Sequence, residues 1–223
     1  AGAYVNVTNS EAPLFPKTGY AVPFPATTTV EFQGSDLISG EQTVSSLGYS
    51  NGNSDAGFHL IGNSFTAALD SDTTGFSVTN WTGDIWYRND GQFASYNVNT
   101  NIGLNGGTRY IPGLQAFWIR NDDIADSEVT MNPSALSHQT QSIFKSTQDN
   151  ILRLVVEKDG YSDEMVFGYF EGASDEFDNF DTKKMFGNNP LYPEIYSVAG
   201  NENVAVNAYA PYHCDEYHIP VGF

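Results

Sequence analysis

The chain has one cysteine, Cys214, in 223 residues. That excludes an intrachain disulfide and a cysteine-rich zinc site. Basic residues are nearly as scarce: 9 Lys and Arg face 27 Asp and Glu, a net charge of −18. Such a surface repels phosphate backbones and anionic lipid, so no nucleic acid partner is expected. No run approaches the 18 or so apolar residues of a membrane span, so no membrane insertion is expected either. The chain opens on Ala1-Gly2-Ala3-Tyr4, without an initiator Met or a signal peptide. The expectation is a segment of a longer exported protein. Catalytic signatures are also missing. There is no Gly-x-Ser-x-Gly elbow, and Gly62-Asn63-Ser64-Phe65 lacks the closing glycine. Gly103-Leu104-Asn105-Gly106-Gly107 has glycines but no following Lys, so it reads as a loop and not a phosphate cradle.

What is present is aromatic and patterned for strands. Hydrophobic residues make up 40% and aromatics 14%, which excludes a disordered chain. Short apolar or alternating runs recur between Gly, Asn, Asp and Pro. Strands are read at 28–32, 41–45, 57–62, 84–88, 92–96, 114–120, 128–131, 151–157, 164–170 and 204–209. Asn51-Gly52 and Asn89-Asp90-Gly91 mark tight turns, and 159–163 joins two long strands. One helical turn is read at 174–185, where acids lead and Lys183 and Lys184 trail, the order a helix dipole favours. The expected architecture is all-β, an antiparallel β-sandwich of jelly-roll type with at most one or two short helices. It forms one segment over 1–223, with a subdivision into 1–121 and 128–223.

Several spaced segments resemble a region of secreted Bacteroidota proteins that precedes the type IX secretion sorting domain. Thr18-Gly19-Tyr20-Ala21-Val22 is similar to its opening strand, with Thr18 where Gly or Lys is usual. Gly57-Phe58-His59-Leu60-Ile61-Gly62-Asn63-Ser64-Phe65 resembles its GWNLIGNPYPS segment, with Ser64 where Pro is typical. The stretches 109–119, 175–185, 204–207 and 219–223 match further motifs in order. The resemblance spans roughly 18–223. It implies an extracellular or cell-surface protein built of β-sandwich modules, with no catalytic residues.

Four acids, Asp163, Asp175, Asp178 and Asp181, are the candidate metal ligands. Calcium takes six to eight oxygens, and carboxylates two or three residues apart can supply several, so a structural Ca2+ is the candidate cofactor. The competing reading has Asp175 and Asp178 capping a helix start and pairing with Lys183, Lys184 or Arg153. A solvated acidic surface explains the overall charge equally well, as does adaptation to saline water. Trp81, Tyr96 and Asn80 are the candidate sugar-binding residues, because exposed rings stack on pyranose faces while amides bind hydroxyls. Trp86 and Trp118 are assigned to the core. Cys214 sits beside His213 and near His218, but strand neighbours point to opposite faces, so the adjacency argues against a thiol–imidazole pair. The functional expectation is a non-catalytic module for adhesion or surface assembly, whose partner is a glycan, a neighbouring surface protein or a second copy of itself. The alternative is a carbohydrate-binding module of a polysaccharide-degrading enzyme.

Overall fold

A computed structural model describes residues 13–22, 31, 33–49, 56–89, 91–122, 125–138, 150–187, 189–211 and 218–223. The strand read at 28–32, the Asn51-Gly52 turn, and His213, Cys214, Asp215 and Glu216 lie outside the described residues. The fold is all-β, built of mainly antiparallel sheets, and a three-residue 3-10 turn at Pro133–Ala135 is the single helical element among the described residues. No helix there is long and apolar enough to cross a membrane.

The chain forms two compact units, one from residues 1–81 and 110–140, the other from 82–109 and 141–223. The boundary expected between 121 and 128 does not separate them, because 110–140 stays within the first unit. Numbering strands in chain order, the first unit holds β1 (Gln42–Leu47), β2 (Phe58–Gly62), β3 (Ala68–Asp70), β4 (Phe76–Thr79), β8 (Tyr110–Ile111), β9 (Ala116–Arg120), β10 (Ser127–Met131) and β11 (Leu136–Ser137). β10 lies between β1 and β4, β3 lies between β11 and β8, and β2 pairs with β9, all antiparallel. Alternation sends Ile61, Leu69, Ile111, Phe117, Val129 and Met131 inward, each no more than 1% exposed. Asn63, from the segment with the family resemblance, is itself buried. Its amide donates to the carbonyls of Ala67, Ile111 and Pro112, and its Oδ1 accepts from Phe65 N. It acts as a peg between two loops.

The second unit holds β5 (Asp84–Asn89), β6 (Gln92–Asn97), β7 (Ile102–Leu104), β12 (Ile151–Lys158), β13 (Tyr161–Tyr169), β14 (Thr182–Lys183), β15 (Tyr196–Ala199), β16 (Glu202–Tyr209) and β17 (Val221–Gly222). β5, β6 and β7 form a meander, and its first turn falls at the hairpin read from the sequence, with Asn89 paired to Gln92 and Gly91 at φ 86°. The other sheet runs β12-β13-β16-β15-β17, with β14 also on β16. All its pairs are antiparallel except β13 with β16, which run parallel. The turn between β12 and β13 is tighter than the sequence reading. Only Asp159 and Gly160 lie outside the strands, at φ 52° and 85°, the geometry of a two-residue turn that favours Asp-Gly.

Face-to-face packing makes this unit a sandwich. Ile102 and Leu104 of β7 meet Val166 of β13 and Ala205 and Val206 of β16, and Ile151 and Phe170 border the cluster. Removing the apolar surface of these side chains from water is the main favourable term. Trp86 and Trp118 are buried, as expected, at 1% and 8% exposure. Ile102→Ala is expected to destabilise by about 2–5 kcal/mol, read as a lower urea midpoint for the second unit, whereas Leu152→Ala on the exposed face of β12 leaves that midpoint nearly unchanged.

Candidate functional site

The helix read at 174–185 does not form. Carboxylates there capture the backbone N–H groups that a helix would need, a competition typical of Asp. Asp178 accepts from Ser174 N at 2.7 Å and from Phe180 N at 2.8 Å. Asp181 accepts from Asp178 N and from Ala208 N of β16, both at 2.8 Å. The segment becomes a string of side-chain-closed turns, and Thr182-Lys183 then joins β16 as β14.

Asp181 is fully buried beside a second buried carboxyl, Asp84, at the start of β5. Asp84 Oδ1 accepts from Thr182 Oγ1 at 2.6 Å and Asn97 Nδ2 at 2.8 Å, and its Oδ2 accepts from Thr82 Oγ1 at 3.1 Å. Asn97 also donates to the Asn179 carbonyl, and its Oδ1 accepts from Asn99 N and Thr100 N. Through these bonds the β5–β6 meander is fastened to the 178–182 segment. Burial pushes both carboxyls up to about 7, against the opposing effect of their hydrogen bonds, and each gains a smaller upward push from a neighbouring carboxylate.

The four proposed metal ligands do not converge. Asp163 is buried, and its Oδ2 accepts from Lys184 Nζ and from Ile195 N, while its Oδ1 accepts from Asn105 Nδ2 at 2.8 Å. Asp175 is exposed. Asp178 and Asp181 serve the turns just described. Among the described residues no group of three or more His, Cys, Asp or Glu is placed to hold a metal ion. The proposed sugar ligands divide as well. Asn80, at φ 51°, donates to the Asp126 carbonyl, and half-buried Trp81 sets its ring edge-on to Phe76 at 6.5 Å; both belong to the first unit. Tyr96 belongs to the second unit, is 6% exposed, and donates its hydroxyl to Asn101 Oδ1 at 2.9 Å, so its ring offers no stacking face.

The feature that gathers polar chemistry is a shallow, solvent-open recess in the second unit. Asp163 and Lys184 form its floor, and Phe93, Asn105, Tyr192 and Glu194 are among its walls. A second shallow recess, beside Trp86, Ser95 and Leu104, also reaches Lys184. Tyr192 packs against Tyr161 with ring centroids 4.4 Å apart, and Arg88 sits over the Phe93 ring at 4.6 Å. Glu194 Oε1 accepts from Gly187 N at 2.6 Å, which ties the loop around the recess. Half-exposed rings beside amides suit contact with a small polar ligand. Sequence reasoning missed Lys184, Asn105 and Tyr192 here. Lys184 read as a helix end, and no local spacing ties Asn105 to Asp163. No protein-family model matches the sequence, and no curated protein or solved structure matches it significantly.

The two raised carboxyls fix the sign of a pH dependence. Their folded values lie above the unfolded value of 3.8, so the folded state holds protons that the unfolded chain has released. Their contribution is complete below about pH 4 and is lost as pH climbs through 7, at roughly 1.4 kcal/mol per pH unit for each group. Urea unfolding at pH 4, 5.5 and 7 is expected to show stability falling with pH, and Asp84→Asn to reduce that slope by about half.

Proposed function

We propose that the chain is a non-catalytic β module of a secreted or cell-surface protein, acting in adhesion or surface assembly by binding a neighbouring protein surface, including a second copy of itself. The observation that carries this reading is the β12 edge. β12 is eight residues long and closes one end of the main sheet of the second unit. It presents Leu152 and Val155 at 52% and 53% exposure. A long edge strand with apolar side chains is the kind of surface that adds a strand from a partner. Acids expected to ligate a metal are instead engaged in hydrogen bonds and an ion pair that support the fold, as at Asp163, Asp178 and Asp181. The resemblance to the region before the type IX sorting domain points the same way.

Sedimentation of the full chain from about 1 to 200 µM is expected to show concentration-dependent association that Val155→Lys abolishes. Val155 is exposed, so that change leaves the fold intact. A chain that stays monomeric throughout, and that captures no surface protein through β12, would refute this reading. The recess favours a second reading, a carbohydrate-binding module, because Tyr192, Asn105 and Glu194 place a ring, an amide and a carboxylate side by side. On a glycan array that reading expects binding that disappears with Tyr192→Ala.

A further inference from the structure

Lys184 and Asp163 differ from the other ion pairs described in this unit. Lys183 meets Glu202 at 2.7 Å and Arg153 meets Glu164 at 2.8 Å, each with substantial side-chain exposure on at least one partner. Lys184 and Asp163 touch directly with side chains only 5% and 3% exposed. Both partners are anchored. Asp163 lies within β13, paired with Val156, and Lys184 N donates to the Asn203 carbonyl of β16 at 2.8 Å. The carboxyl is also held in a fixed orientation, by Ile195 N–H on Oδ2 at 2.7 Å and by the Asn105 amide on Oδ1 at 2.8 Å. An amine and a carboxyl pressed together in a dry, rigid site have the arrangement from which amide condensation proceeds.

We propose that Lys184 and Asp163 join in an intramolecular isopeptide bond. Proton transfer within the pair gives a free amine and a neutral acid, and Lys184 Nζ then attacks Asp163 Cγ. The proton goes to Oδ2, which Lys184 touches, and the negative charge develops on Oδ1, stabilised by the Asn105 amide, a donor already in place. The Nζ–Cγ bond forms and one Cγ–O bond breaks. Two of the three ammonium protons leave with that oxygen as water and the third stays on the amide nitrogen, so no oxidant or co-reactant is needed. Water exits through the recess whose floor the two residues form. Fixed proximity supplies the rate, since well-oriented intramolecular partners reach effective molarities of about 10⁵ M or more. Condensation also replaces a buried charge pair, which is poorly solvated, with a neutral amide. The bond would close the chain segment 164–183 into a loop.

Intact-mass spectrometry of the denatured full chain tests this without any variant. The expected mass is 18 Da below that of the sequence, with a proteolytic fragment in which the peptides containing Asp163 and Lys184 are joined. Lys184→Arg restores the full mass and lowers the melting temperature by about 10 °C, the effect of opening a loop of this length. Asp163→Asn, which can condense with loss of ammonia, shows a deficit of 17 Da. A wild-type chain at its full sequence mass overturns the proposal. So does an 18 Da deficit that maps elsewhere, such as a succinimide at Asp159-Gly160.

Discussion

Burying a carboxyl group inside a β-sandwich is unfavourable unless every oxygen finds a donor, and the second unit does this at Asp84, Asp163 and Asp181. Each satisfies the condition in a different way. Asp84 is met by hydroxyls and an amide, Asp181 by two backbone N–H groups, and Asp163 by a lysine, a backbone N–H and Asn105. These bonds run between elements far apart in sequence, from β5 to β14 and from β13 to the start of β15. Apolar packing of Ile102 and Leu104 on Val166 and Val206 brings the layers together, but it has little directional preference. The polar contacts add direction, because a slipped register would strand a buried charge.

That arrangement also shapes the surface. With the inward acids consumed, the surfaces proposed for binding are the half-buried rings around Tyr192 and the outer strand β12. Both are places where side chains face solvent from a firm backbone. Asn105 links the two levels. Its side chain reaches Asp163 and the Phe93 carbonyl, while its own N–H meets Glu164. A residue in a left-handed turn at φ 52° therefore positions the floor of the recess.

How much of this was legible in the sequence depends on whether the signal was local. Asp159-Gly160 and the turn ending at Gly91 announced their hairpins because such turns need positive φ, and a glycine supplies it within the motif itself. Trp86 and Trp118 read correctly as core because alternation in their own strands faced them inward. The segment 174–185 misled because charge order mimicked a helix, while the deciding partner, Ala208 N, lies far along the chain. Asp163 and Glu164 looked like joint ligands. Adjacent strand residues face opposite ways, so one meets Lys184 and the other Arg153. Grouping by sequence distance alone overlooked that alternation. The division into units was equally hidden, because the meander over 82–109 belongs with strands that come much later.

The interleaving of the two units along the chain sets the order in which they can be completed. As the polypeptide emerges from the ribosome, the first unit must wait for residue 140, and the meander over 82–109, which belongs to the second unit, waits longer still. Ile102 and Leu104 stay uncovered until Val206 has been synthesised, more than a hundred positions downstream. During that interval an apolar hairpin is exposed to other nascent chains. Such delayed closure leaves that apolar face open to chaperones until the last strands of the second unit arrive.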